Sequence, residues 1–260
     1  MMWDFCVRSL FREYGWQFFL RVAAPHPLRT ARAVLDSGTL DASGDTIAVP
    51  ASGAGPGLGG GRSVVGLGFC LKPMVPPCPS GRPNHDCQFL EGLPRSDGQA
   101  IPAACRGCAI RGIGLLALKS GAAVYIMTSA RDILLDVFVP ALDRGRFSSG
   151  VFALCGYSGR PFAVGLLASG MRGWLLPFAN GDCRDYKTWL RADRGIKDDQ
   201  TSLDGPTNRT IRGLLENAAE GPPVATQFEK RGHVLHARTA GENRARTRVP
   251  GNPAVAPDVN

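Results

Sequence analysis

The sequence predicts an α/β fold: an open, mostly parallel sheet with covering helices, a cysteine-rich insertion after the first strand, and a helical segment at the amino-terminal end. Three observations carry this. From residue 62 short apolar runs alternate with longer amphipathic ones, the pattern that builds strand–helix–strand units. The short runs lack a polar face, as strands covered on both sides require. The 260 residues, 44% hydrophobic and 20% charged, suffice for one large α/β domain or two small ones.

Residues 1–36 read as helical. Trp3, Val7, Leu10, Phe11, Tyr14 and Phe18 share one stripe at three-to-four spacing, with Arg8, Arg12 and Glu13 off it. The stripe is expected to dock on the domain or on a partner subunit, because a membrane-surface helix would carry more Lys and Arg on its polar face. "HPLRTARAVLD" (26–36) predicts a second short helix. Residues 37–61 are glycine-rich without apolar periodicity and read as a flexible linker. Gly57, Gly59, Gly60 and Gly61 do not make a phosphate loop, which must follow a strand and open a helix.

Residues 62–200 are read as the cysteine-rich α/β domain. "VVGLGF" (64–69) is the first strand and ends at Cys70; a Pro- and Cys-rich insertion follows from Lys72 to Ala104. "CAIRGIGLLALKSG" is helical up to a Gly121 stop, "AAVYIM" (122–127) is a strand, and "ARDILLDVFVPALDRG" is a helix kinked or broken at Pro140. "GVFALC" (150–155), "RPFAVGLLASG" (160–170), "GWLLPF" (173–178) and "RDYKTWLRAD" (184–193) continue the alternation. Residues 201–220 hold one further helix, and 221–260 read as a disordered basic tail.

The formal charge of +8 leans on that tail, which carries Lys230, Arg231, Arg238, Arg244, Arg246 and Arg248. It allows contact with nucleic acid or an acidic partner but says little about the folded part. No apolar run approaches the ~18–20 residues of a membrane span. "WQFFLRVAAP" is interrupted by Gln17 and Arg21 and closed by Pro25, so it is no export signal. A cytoplasmic location is expected, where thiols stay reduced and clustered cysteines favour metal over disulfides.

In a parallel sheet every strand's carboxyl end reaches one edge, the edge where such sheets bind ligands. Cys70 and Cys155 end strands there, Cys183 follows a strand by one short turn, and Cys105 and Cys108 precede a helix whose start faces the same edge. Cys78 and Cys87 lie in the insertion that would cover it. Cys70, Cys78, Cys87, Cys105, Cys108, Cys155 and Cys183 are therefore the candidate metal ligands, and Cys6 is a packing residue. Cys105 and Cys108 form the one close pair and need a second, from Cys70 with Cys155 or Cys78 with Cys183. A single close pair with scattered partners suits an iron–sulfur cluster better than structural zinc, which pairs two knuckles. His85, beside Cys87, reads as a loop histidine.

Other chemistry is sparse. "CGYSGR" misses the spacing of a nucleophile elbow. His85 is the one histidine of the α/β region, so no catalytic triad is assigned. Thr128, Ser129 and Arg160 follow predicted strands and are the candidates for binding a cofactor or anionic ligand; capping also explains Ser129. Asp182, Asp185 and Asp193 are read as partners of helix dipoles.

The order of a strand ending in Cys, a Cys-bearing insertion, CxxC opening a helix, "SGAAVYI", a strand ending "LC" and "GWLLPFANGDC" resembles the prokaryotic domain of unknown function 116 (DUF116) family over residues 62–200. The resemblance implies a cytoplasmic, metal- or iron–sulfur-binding protein with ligands at Cys70, Cys78, Cys105, Cys108, Cys155 and Cys183; Cys87 and Asp182 depart from its pattern. The sequence reading is thus a soluble iron–sulfur protein acting in electron transfer or on a small ligand, with a redox partner. A zinc-stabilised accessory protein and a nucleic-acid-associated protein using the tail stay open as alternatives.

Overall fold

The computed structural model of the chain describes residues 14–40, 46–49, 58, 61–96, 98–219 and 225–238. Four strands run parallel: β2 (Ser63–Gly68), β3 (Ala123–Met127), β4 (Ser149–Leu154) and β5 (Arg172–Pro177). β1 (Ile47–Val49) joins antiparallel to β5, and the hairpin of β6 (Gln227–Arg231) and β7 (Val234–Arg238) joins antiparallel to β3. The resulting sheet has the order β1-β5-β4-β2-β3-β7-β6. This is the mostly parallel α/β architecture expected from the alternating runs.

β2 is the central parallel strand. Val65 lies opposite Val124 of β3 on one side and Val151 of β4 on the other. β2 is buried from Ser63 through Leu67, which its unbroken apolar run requires of a strand covered on both faces. A Cβ on Gly66 would stand 2.3 Å from Cδ1 of Phe152, so the glycine is what lets that ring cross the strand. After β2 the chain moves to β3 and then returns to the far side of β2 as β4. The carboxyl ends of β2 and β4 therefore flank the topological switch point, where connections leave in opposite directions and ligands bind.

Helices cover both faces. α1 (Pro27–Gly38), α3 (Ala130–Ile133, continued by a π-helical turn Leu134–Phe138 and by Val139–Arg144) and α4 (Gly159–Ser169) pack on one side through Ala33, Leu134, Phe138, Ala163 and Leu166. On the other, α2 (Ala109–Lys119) buries Ile110, Ile113, Gly114, Ala117 and Leu118, which fall on one helical face. Ile211 and Leu215 of α6 (Gly205–Ala218) and Ala192 of α5 (Tyr186–Asp193) join the same core. Pro140 sits in the first turn of Val139–Arg144, and the π-helical turn just before it takes up the disruption that the sequence places there. Among the described residues no helix is long and apolar enough to cross a membrane.

Two segments differ from the sequence reading. Within the expected linker 37–61, α1 runs on to Gly38 and Ile47–Val49 forms β1, because pairing with β5 lets Val49 be buried. Within the expected tail 221–260, residues 227–238 form the β6–β7 hairpin. Phe228, Val234 and Leu235 are buried, and Gly232, at φ +60°, opens the two-residue turn between Arg231 and Val234. Glu229, Lys230 and Arg231 mark its outer edge with charge, which discourages further strand pairing. Of the amino-terminal stripe, Tyr14 and Phe18 pack against the core; Trp3, Val7, Leu10 and Phe11 lie outside the described residues, as does Cys6.

His236 of β7 accepts a hydrogen bond at Nε2 from Arg146. Burial, then the charges of Arg146 and Arg231, push its pKa from 6.5 down to about 4. The unfolded chain therefore binds a proton that the folded one refuses between those values. Stability is expected to be full above pH 6.5 and to fall as pH drops toward 4. His236→Gln should flatten that limb in denaturant titrations across the window; an unchanged slope contradicts the assignment.

Candidate functional site

The seven described cysteines are all free thiols, and they fall into two groups rather than one rim. Cys78, Cys87, Cys105 and Cys108 surround a small pocket with Lys72, Phe89 and Arg111. Cys87 precedes the short helix Gln88–Glu91, Cys105 lies in Ala103–Arg106, and Cys108 precedes α2. The neighbours of Cys105 and Cys108 are thus Cys78 and Cys87, both from the insertion, in place of Cys70 with Cys155 or Cys78 with Cys183. The void among them is about 10 Å³.

Burial pushes the Cys87 thiol up to about 11 and raises Cys105 and Cys108. Backbone N–H groups oppose this: those of Leu90 and Phe89 at Cys87, and those of Arg111 and Ile110 at Cys108. These are dipole contacts at helix starts rather than closed capping bonds, and they favour the thiolate. The four thiols act on one another through charge across the pocket. Among the described residues no three cysteine sulfurs lie within 4.8 Å of one another. Tetrahedral zinc–sulfur bonds of ~2.3 Å would bring sulfurs to ~3.8 Å, so the group is wider than a closed zinc site.

Lys72, two residues beyond Cys70, is 1% exposed. Its Nζ donates to the Asn84 backbone oxygen at 2.9 Å and to the Asn84 side chain, neither of which carries charge. Burial lowers its pKa, and Cys78 and Cys87 are the first groups to oppose that. Asp86 and Glu91, which pair with Lys230, add a smaller contribution of the same sign from a distance. Sequence reasoning missed Lys72, since a lysine after a strand ordinarily faces water.

The second group is Cys70, Cys155 and Cys183. Cys183 donates its backbone N–H to Cys155 Sγ at 3.4 Å. The neighbouring Cys155 and Cys70 thiols, then Lys197, make Cys183 more acidic, while the nearness of Cys183 together with burial raises Cys70 and Cys155. Cys70 and Cys155 also line a cavity of about 760 Å³ together with Gly68, Met127, Leu154 and Phe178. Those residues sit at the carboxyl ends of β2 to β5, and the volume suits a small-molecule site.

The expected ligand-binding residues divide. Thr128 and Ser129 line the cavity, and each donates its hydroxyl to Asp132 Oδ2 at 2.7 Å. Asp132 returns its N–H to Ser129 Oγ at 3.1 Å, so Ser129 is the cap of α3. His85 first, then Thr128 and Ser129, hold the Asp132 carboxyl well below the usual carboxylate range. Arg160 does not serve the cavity: at the start of α4 it extends toward the Gly38 carbonyl at 3.5 Å. Arg184, just before α5, lines it instead.

His85, Asp136 and His233 form a further set with donor atoms within 4.8 Å. His233 Nδ1 lies 2.8 Å from Asp136 Oδ2, which also accepts from Tyr125 at 3.0 Å. The two imidazoles stack, with centroids 4.1 Å apart and planes 8° from parallel. Ring lone pairs lie in the ring planes, so rings stacked in this way do not aim at one ion; the contact links the hairpin to the insertion. Lys230, Arg231 and Arg238 of the expected basic tail pair with Asp86, Glu91 and Glu229, which removes them from any free basic patch.

Comparison with protein-family models, curated proteins and solved structures found no match to this chain. The site is read from its own geometry. Ser129→Ala should cost ~1 kcal/mol of stability through loss of the α3 cap, measured by denaturant unfolding; a change within error would contradict the capping role.

Proposed function

We propose that the chain is an iron–sulfur protein whose cluster is held by Cys78, Cys87, Cys105 and Cys108, serving electron transfer or a redox reaction on a small molecule at the carboxyl edge of the sheet. The observation that carries this reading is Lys72, a buried ammonium hydrogen-bonded to Asn84 and lining the same pocket as four thiols, of which Cys78 and Cys87 are the first groups to favour its charge. A buried cation is costly unless negative charge lies close, and thiolates in a metal site supply that charge where neutral thiols do not. The spread of the sulfurs favours a multi-iron cage over a single ion. The resemblance to the domain of unknown function 116 family also points to metal binding; of the six ligands it implies, this cluster takes Cys78, Cys105 and Cys108, adds Cys87 and leaves out Cys70, Cys155 and Cys183.

In this reading the cluster supplies one-electron chemistry when bound, and the chain's own residues do the rest. The helix starts at Cys87 and Cys108 turn N–H dipoles toward the sulfurs, Phe89 and Ile110 keep water out, and Lys72 offsets the accumulated negative charge. Structural zinc is the second reading, favoured by the small void at the centre of the four thiols. It would make the group a clasp tying the insertion to α2.

Anaerobic purification decides between them. The iron–sulfur reading expects brown protein with bound iron and broad visible absorption, most of it lost in Cys105→Ser; colourless protein with one zinc per chain supports the clasp. Lys72→Met, which keeps the bulk and removes the charge, should move the cluster's reduction potential downward in an anaerobic redox titration, because the reduced, more negative state loses its counter-charge. An unmoved potential contradicts the role given to Lys72.

A further inference from the structure

We propose that Cys70, Cys155 and Cys183 form a second metal site, separate from the four-cysteine group, which takes one soft divalent ion on three thiolates and leaves its remaining coordination position to a molecule in the adjoining cavity. The proposal goes beyond the iron–sulfur reading and does not depend on it. Its basis is the placement of three sulfurs. Cys70 and Cys155 follow β2 and β4, the neighbouring strands that flank the switch point. Cys183 arrives from the loop after β5 and donates its backbone N–H to Cys155 Sγ, and the same 180–202 segment holds the Cys70 carbonyl through Gln200.

The loop that brings Cys183 is fixed. Gly181 adopts φ +59°, and a Cβ there would stand 2.6 Å from the Gln200 carbonyl oxygen. Thr201 Oγ1 donates to the Gly181 carbonyl at 2.7 Å, and Asn180 bridges to Ser202. On the opposite side Gln200 Nε2 donates to the Cys70 carbonyl at 3.3 Å. Residues 180–202 thus clamp Cys183 and Cys70 from one neighbourhood. Packing alone explains a single buried cysteine, but it gives no reason for Cys70 and Cys155 from separate strands to flank Cys183, although the three sulfurs do not all lie within 4.8 Å of one another before an ion is bound.

The chemistry follows from the donor set. Thiolates select soft ions, and three protein ligands with a vacant position are the pattern of a metal site that binds an exogenous molecule, whereas four closed ligands are structural. The vacant side is identifiable, because Cys70 and Cys155 face the cavity while Cys183 is fully buried. Tyr157, Phe162, Phe178 and Trp189 in the cavity wall suit a flat, largely apolar molecule with one donor atom for the ion. Binding would draw Cys70 and Cys155 together across Cys183, with the thiol protons released to solvent as the sulfurs bind the ion.

The test uses the full chain, purified anaerobically and titrated with cobalt(II), whose sulfur-to-cobalt charge-transfer bands report thiolate ligation and whose ligand-field bands report the remaining position. Wild type should bind one equivalent of cobalt more than Cys70→Ser, Cys155→Ser or Cys183→Ser. Cys105→Ser should keep this equivalent. Because a serine variant can fail by misfolding, alkylation mapping of wild type provides a second reading: cobalt should protect Cys70, Cys155 and Cys183 together. Imidazole should then shift the ligand-field bands. The site is refuted if the three variants bind as much cobalt as wild type, if cobalt protects none of the three thiols, or if iron rather than cobalt is lost with Cys155. Bands indifferent to imidazole overturn the open position. Absence of iron from every variant would instead remove the four-cysteine reading and leave the cobalt result standing.

Discussion

A lysine ammonium taken out of water costs several kcal/mol unless negative charge stands near it, and the placement of Lys72 turns that cost into the organising constraint of this fold. Its hydrogen bonds go to the uncharged groups of Asn84. The nearest acidic side chains, Asp86 and Glu91, are claimed by Lys230 of the hairpin. In the proposed site Cys78, Cys87, Cys105 and Cys108 would supply Lys72 with negative charge as thiolates, beyond what Asp86 and Glu91 contribute from a distance. The helix starts at Cys87 and Cys108 are arranged to make that easier, since their N–H dipoles oppose the effect of burial on the sulfurs.

Both cysteine groups hang from one strand. β2 has Ser63, bonded to Ser149, as its one polar side chain, yet its central place in the sheet decides where Cys70 and Lys72 emerge. Cys70 turns toward β4 and the cavity, and Lys72 toward the insertion, so the three residues Cys70 to Lys72 lead from one thiol group to the lysine beside the other. Gln200 binds the carbonyls of both Cys70 and Lys72, at 3.3 and 3.4 Å, and keeps this short connection in register. Each group is thereby held by elements far apart in sequence, which is the preorganisation that a metal site requires.

The parallel sheet was legible in the sequence because its strands are unbroken apolar runs, and the carboxyl-edge positions of Cys70 and Cys155 followed from direction alone. How the seven cysteines divide was not legible, since that depends on how the insertion folds back, and a Pro- and Cys-rich segment carries no periodicity to show it. β1 went unseen because three residues are too few for alternation to register. The hairpin was hidden by composition: Glu229, Lys230 and Arg231 read as solvated tail, although Phe228, Val234 and Leu235 mark a buried face. Losing the hairpin also lost His233, and with it the stacking on His85. Arg160 failed for a local reason: its side chain extends toward α1, while Arg184 reaches the cavity.

The account stands on the claim that four sulfurs from the insertion and the start of α2 bind iron as one cage beside Lys72. Iron X-ray absorption on the anaerobically reconstituted full chain tests this directly. The account predicts a first shell of sulfur alone together with iron–iron scattering, both diminished in Cys105→Ser. A first shell of nitrogen and oxygen, or iron without an iron neighbour, would contradict it.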